Sequence, residues 1–200
     1  EILRTDLSSF FLDLALWGYE DIKEFKFLDY PQEVVQNSTN LVLQELQMLN
    51  EDNQITNFGK KALTLGVHPR FAFMILRANE LGFAYEACLL SAMLSEKDIF
   101  KNMSFNCDIY SRFLHLYEKD FDSAYISSHK AKNVLKQAEF FYNKLKSIET
   151  INKNTRKINE ENLSILLLLA YPDRLAKQRG KNDNKYKLSN GKGAILNIED

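Results

Sequence analysis

The stretch Leu49–Arg70, LNEDNQITNFGKKALTLGVHPR, decides how this chain folds. Asn50 to Asn53 supply a polar turn, and Ile55-Thr56 is a short strand signal whose threonine can cap the helix that follows. Gly66 can close that helix, and Pro69, whose missing N–H costs nothing in a first turn, can open the next. Punctuation this compact reads as the hairpin-and-helix end of a winged helix leading into a helical bundle.

Upstream, Leu3, Leu7, Phe10, Phe11 and Leu14 recur at three- and four-residue spacing and predict an amphipathic helix stopped by Gly18. A connection through Phe25, Phe27 and Leu28 leads to Pro31, which predicts a second helix over 31–49. Val34, Val35, Val42, Leu46 and Leu49 are its expected inward face. That helix carries Glu33 and Glu45 and no Lys or Arg, so phosphates would repel it from a DNA groove. A packing role is expected of the winged helix instead.

Downstream, Phe71, Met74, Ile75 and Ala78 define a helix face ended by Gly82, and an Ala- and Leu-rich helix is expected over 83–94. A loop is expected over 95–106, then helices over 109–117 and 134–148, the latter through Leu135, Ala138, Phe141, Tyr142 and Leu145. Polar residues over 151–159 break the pattern. Asn159 is the expected N-cap of the next helix, with Glu160 and Glu161 at the positive end of its dipole. The apolar run Leu163–Tyr171 contains Ser164 and falls well short of the roughly 20 residues of a membrane span. It predicts a buried helix, and no membrane partner is expected. Tyr171-Pro172-Asp173 should interrupt it, with one or two further helical turns over 174–179 and a loop over 180–184. Tyr186 and Leu188 alternate with polar residues, Asn190-Gly191 is a hairpin signal, and 194–198 is the expected partner strand. A lone two-stranded hairpin is marginal in water, so the chain is expected to stop inside a further β-rich domain. The expected architecture is mostly α: a winged helix over 1–66, a helical bundle over 67–170, and a basic linker with a β-hairpin over 171–200.

Charge is divided along the chain. Residues 1–100 carry 8 Lys/Arg against 15 Asp/Glu, a balance of −7, whereas residues 101–200 carry 18 against 12, or +6. The second half is thus the expected phosphate-facing part. Its densest segment, Arg174–Lys192, holds Arg174, Lys177, Arg179, Lys181, Lys185, Lys187 and Lys192 against the single acid Asp183. Cys88 and Cys107 are isolated, which suits a reducing cytoplasm, and nothing in the opening residues signals secretion, so a cytoplasmic location is expected. His68, His115 and His129 lie at no metal-ligand spacing, so no metal site is expected. His68, just before Pro69, is expected to bond the backbone at a helix entrance.

Three segments in order, EILRTDL (Glu1–Leu7), FKFLDYP (Phe25–Pro31) and the stretch quoted above, resemble the helicase-associated region of DEAH-box ATP-dependent helicases. LLLAYPDRLAKQRG (Leu167–Gly180) followed by YKLSNGKGAIL (Tyr186–Leu196) is similar to the HrpB-type bacterial branch. The likeness covers residues 1–100 and resumes at Leu167; over 101–160 the bundle rests on periodicity alone. The resemblance implies two preceding RecA-like ATPase domains as partners on the same polypeptide, ATP and Mg as the parent's cofactors, and a helical bundle called a ratchet beside the path of a single strand of RNA or DNA. The segment itself shows no Gly-x-x-x-x-Gly-Lys-Ser/Thr loop and no Asp-Glu-Ala-His box. Gly191-Lys192-Gly193 lacks the upstream glycine and the following hydroxyl. No catalytic residue and no cofactor are therefore expected within it, and it should not hydrolyse ATP alone.

The candidate strand-contacting residues are Arg70 and Arg77, seven apart on one predicted helix; Lys130, Lys132 and Lys136 as a stripe; and Arg174, Lys177 and Arg179 in the matched basic motif. For each, a plainer reading stands beside this one. The two arginines can pair with the acids of the first half, the lysines can form a solvated face, and Arg174 can anchor Asp173 or a helix end. Tyr171 is expected in the core rather than as a base-stacking platform. Rival functions are a winged-helix transcription regulator, which needs a basic recognition helix, and a protein-interaction scaffold without nucleic acid.

Overall fold

The computed structural model describes residues 6–19, 22, 26–27, 29–101, 108–122, 125–154, 157–181 and 183–196. Leu3, Phe25, Leu28, Cys107 and most of the EILRTDL segment lie outside the described residues. Contacts group the chain into two units divided between Phe73 and Met74, inside one helix.

In the N-terminal unit, helix α1 (Ser8–Leu16) buries Phe11, Leu12 and Leu14. It ends at Gly18, which sits at φ 81 with the Tyr19 N–H bonded back to the Leu14 carbonyl. Helix α2 (Glu33–Glu45) is shorter than expected at both ends. Gln32 is still extended, so Pro31 precedes the helix, and the Gln36 amide bonds the Pro31 carbonyl at 2.8 Å. At the other end Gln47 enters the left-handed region at φ 57, which frees Leu46, Met48 and Leu49 to pack as a buried turn. The expected inward face is also corrected: Val34 is 77% exposed, while Thr39 and Leu43 are buried. Val34 and Val35 are about 100° apart round the helix, and with Thr39 and Leu43 at the centre of the inward face Val35 is half-buried while Val34 falls outside it.

The decisive stretch keeps the turn, cap and helix ends read from it, but its hairpin is reduced to a single bridge. Leu49 and Ile55 pair antiparallel across a turn in which the Asn50 side chain accepts the Asp52 and Gln54 N–H groups. Thr56 then caps α3 (Asn57–Leu65), its hydroxyl oxygen accepting the Gly59 N–H at 3.0 Å. Position 59 needs glycine, because a Cβ there would collide with the Met48 carbonyl oxygen. Gly66, at φ 68, closes α3, and Pro69 is the first residue of α4 (Pro69–Leu81).

In the C-terminal unit, α5 (Ala84–Ser95) is apolar nearly all round and buries eight residues, so it is the core element. It packs on α6 (Ile109–Tyr117) and, more extensively, on α7 (Ser128–Ile148). Helix α7 begins six residues earlier than the apolar pattern predicts, because its first turns are polar outside and touch the core through Ala131 alone. Ala131, Val134, Ala138, Phe141 and Leu145 form its buried face. Asn79, on α4, is buried and holds the 150–152 segment: its amide N–H donates to the Thr150 carbonyl at 2.9 Å and its amide oxygen accepts the Asn152 N–H at 3.1 Å. Helix α8 (Glu160–Ala170) has the expected cap, the Asn159 side chain accepting the Asn162 N–H at 2.8 Å. It buries Leu163, Leu166 and Ala170 but leaves Ile165 and Leu168 exposed.

A 3-10 turn over Pro172–Arg174 follows, and then the largest departure from expectation. The segment read as further helix is strand β1 (Ala176–Gln178), paired antiparallel with β2 (Lys185–Leu188), which pairs in turn with β3 (Gly193–Ile195). Ala, Lys, Gln and Arg favour helix locally, but β2 offers its open edge and the pairing prevails. The hairpin at Asn190-Gly191 forms as expected, with Gly191 at φ 85, yet it is part of a three-stranded sheet. Residues 197 and 198 of the expected partner strand lie outside the described residues. No described helix is long and apolar enough to cross a membrane.

Candidate nucleic-acid interface

Arg70 is the second residue of α4, and its backbone N–H donates to Nδ1 of His68 at 3.3 Å. This is the helix-entrance bond expected of His68, and it leaves Nε2 to meet Asp6 at 3.3 Å. That bond from His68, together with those from Ser8, holds the Asp6 carboxyl well below the usual carboxylate range against the opposing effect of burial. Arg77 pairs with an acid of the first half, Nη1 lying 2.8 and 3.0 Å from the two Glu80 oxygens.

The three lysines of α7 do not form one stripe. Lys132 and Lys136, four apart, share an exposed face, but Lys130 is two residues away, about 200° round the helix. Its ammonium donates to the Asp98 carbonyl at 2.8 Å. The Asp98 side chain is in turn held by Arg112, with Nη2 at 2.8 Å and Nε at 3.0 and 3.1 Å, and the Arg112 guanidinium lies 4.8 Å over the Phe100 ring. Burial alone would raise the Asp98 carboxyl, yet these bonds outweigh it and hold it low. Lys130 is thus occupied in tying the 98–101 segment to α7.

Arg174, Lys177 and Arg179 are exposed. The Arg174 guanidinium sits 4.4 Å over the Tyr171 ring, which is half-buried rather than core. Strand register sets Lys177 directly opposite Lys187. The sheet therefore adds Lys187 and its strand neighbour Lys185 to the candidates, and the Lys-Tyr-Lys-Leu alternation over 185–188 was the available signal.

Other chemistry is sparse. Among the described residues no three His, Cys, Asp or Glu side chains gather as metal ligands. Cys88 is buried in α5, and burial pushes its thiol up, away from nucleophilic reactivity. Burial also raises the Glu86 carboxyl, whose Oε1 accepts the Tyr117 hydroxyl at 3.4 Å.

A helical chain with a winged-helix N-terminal unit and a small basic sheet has relatives among nucleic-acid motors. No protein-family model matches the chain. It is homologous to DEAH-box helicases of the HrpB and HrpA type. Over 106 residues, 49% of the chain, it is 37% identical to the ATP-dependent RNA helicase HrpA homolog of Haemophilus influenzae, covering 8% of that protein. Over all 200 residues it is 28% identical to the ATP-dependent RNA helicase HrpB of Escherichia coli, of which it spans 22%. Two crystal structures of E. coli HrpB, one described as a DExH-box NTPase and one as a DEAH/RHA helicase, superimpose with TM-scores of 0.71 and 0.73 at 27% and 26% identity. They match 98% and 97% of this chain, which in turn covers 21% and 22% of them. The winged-helix and ratchet assignments are consistent with these neighbours.

Proposed function

We propose that the chain is the accessory, strand-guiding region of an ATP-dependent helicase of the HrpB type. In this reading the winged helix braces the RecA-like ATPase domains of the same polypeptide. The bundle and the basic sheet line the path of one unpaired RNA or DNA strand, which ATP-driven motion pushes past them. ATP and Mg belong to the ATPase domains, and the chain by itself is not a hydrolase. The observation that carries the proposal is the match along the whole chain to HrpB in both sequence and fold. Two features support the division of labour. The outer face of α2 shows exposed Val34 and Leu41 and no cation, which suits protein contact over phosphate contact. The excess positive charge lies in the second half of the chain.

The test is a titration of labelled single strands at two salt concentrations. The chain should bind weakly and without sequence preference, with log affinity falling against log salt by about 0.7 per phosphate contact. ATP hydrolysis by the chain should stay at background with or without the strand. No detectable binding even at low salt sinks the strand-guiding role; hydrolysis above background sinks the assignment of the fuel site elsewhere.

A further inference from the structure

The register of the C-terminal sheet gathers cations that are scattered in sequence. Directly opposed residues of antiparallel strands share a face, so Lys177, Lys187 and Gly193 form one row across the three strands. Lys185 lies two residues from Lys187 on that same face, opposite Ile195. Arg179 continues β1 with its N–H bonded to the Lys185 carbonyl, and its guanidinium reaches diagonally to Gly193, Nη2 coming within 3.5 Å of where a Cβ would stand. All four cations are exposed, whereas Tyr186 and Leu188, on the opposite face, are half-buried.

This face is unfavourable for the sheet alone. Like charges directly opposite one another destabilise an antiparallel pair, and here they do so in strands of only three or four residues. Among the described residues none of the four cations is in an ion pair. The one acid of the segment, Asp183, has its side-chain oxygen bonded to the Lys185 backbone N–H at 3.1 Å. The bare backbone at Gly193 leaves the middle of the face open. The grid has steps of about 5 Å across the strands and about 7 Å along them, the order of the step between neighbouring phosphates on an extended strand. No side-chain amide stands on this face among the described strand residues: Gln178 lies on the other face and bonds the Asp183 carbonyl at 2.6 Å.

We infer that Lys177, Arg179, Lys185 and Lys187 form a phosphate clamp that grips the backbone of a single nucleic-acid strand without reading its sequence. The inference rests on the strand-guiding reading above and assigns its main grip to the sheet, not to α4 or α7. The clamp trades fold stability for binding, so the two should move in opposite directions on substitution.

The experiment measures fluorescence anisotropy of labelled oligouridylate with the 200-residue chain and with K185Q/K187Q and K187E, alongside thermal melts. Each lysine contact should be worth about fivefold in affinity at 0.1 M salt, so K185Q/K187Q should lose about 25-fold and flatten the log–log salt slope by about 1.4. K187E should bind at least as poorly while melting no lower than the unaltered chain, since it replaces a repulsion with an attraction to Lys177. If the unaltered chain binds and a folded K185Q/K187Q keeps both affinity and slope, the clamp is overturned and the strand-guiding reading survives with its grip elsewhere. If the unaltered chain binds nothing at low salt, the strand-guiding reading itself fails and takes the clamp with it.

Discussion

Asp6 and His68 show how single residues set local structure here. The Asp6 side chain accepts the Ser8 N–H at 2.8 Å, just ahead of α1, and meets His68 at the entrance of α4. Its carboxyl titrates lower in the folded chain than in the unfolded one, so its stabilising contribution is complete above the unfolded value of about 4 and is lost as pH falls towards the folded one. Because the side chain is half exposed, Asp6→Asn should cost only about 1 kcal/mol at pH 7. Thermal melts of both proteins should show a gap at pH 7 that narrows at pH 3; an equal gap at both values would disprove the ionic origin. The bond from His68 to the helix entrance was legible in the sequence because Pro69 follows it. Its partnership with Asp6, 62 positions away in the chain, was not.

At the scale of elements, helix ends were legible wherever a side chain acts on its own backbone. Thr56, Gly66, Pro69, Gly82 and Asn159 mark boundaries that hold in the structure, since caps and left-handed turns need only neighbouring residues. Asn79 is of the other kind, a buried amide tying α4 to the 150–152 segment through backbone partners that no local pattern announces. Asn79→Ala leaves the Thr150 carbonyl and the Asn152 N–H without these bonds and should destabilise the fold by about 2–3 kcal/mol, read as a lower denaturant midpoint. A midpoint unchanged within error would mean that water replaces the amide at no cost. Strand β1 marks the limit of local reading: its composition favours helix, and only the edge of β2 makes it extended.

Over the whole molecule, the acidic first half and basic second half are the charge pattern expected if the proposed protein-bracing role falls early in the chain and the proposed strand-guiding role late. The scaffold rival separates cleanly from this arrangement. In the full-length protein, replacing Arg174, Lys177 and Arg179 together by alanine should weaken single-strand binding by about tenfold or more at moderate salt, even if Arg174, which lies over Tyr171, contributes no phosphate contact of its own. Unchanged binding by the full-length protein would favour a scaffold.

What the sequence determined by itself were the mostly helical class, the caps and turns that delimit its helices, the kinship with helicases and the division of charge. These follow from periodicity, short-range hydrogen bonding and composition, all of which act over a few residues or none. Only the tertiary structure decided which lysines stand together. It took Lys130 out of the α7 stripe to bond Asp98, committed Arg77 to Glu80, and brought Lys185 and Lys187 beside Lys177 and Arg179. Strand register and long-range pairing set those neighbours, and a one-residue slip would send every side chain of a strand to the opposite face.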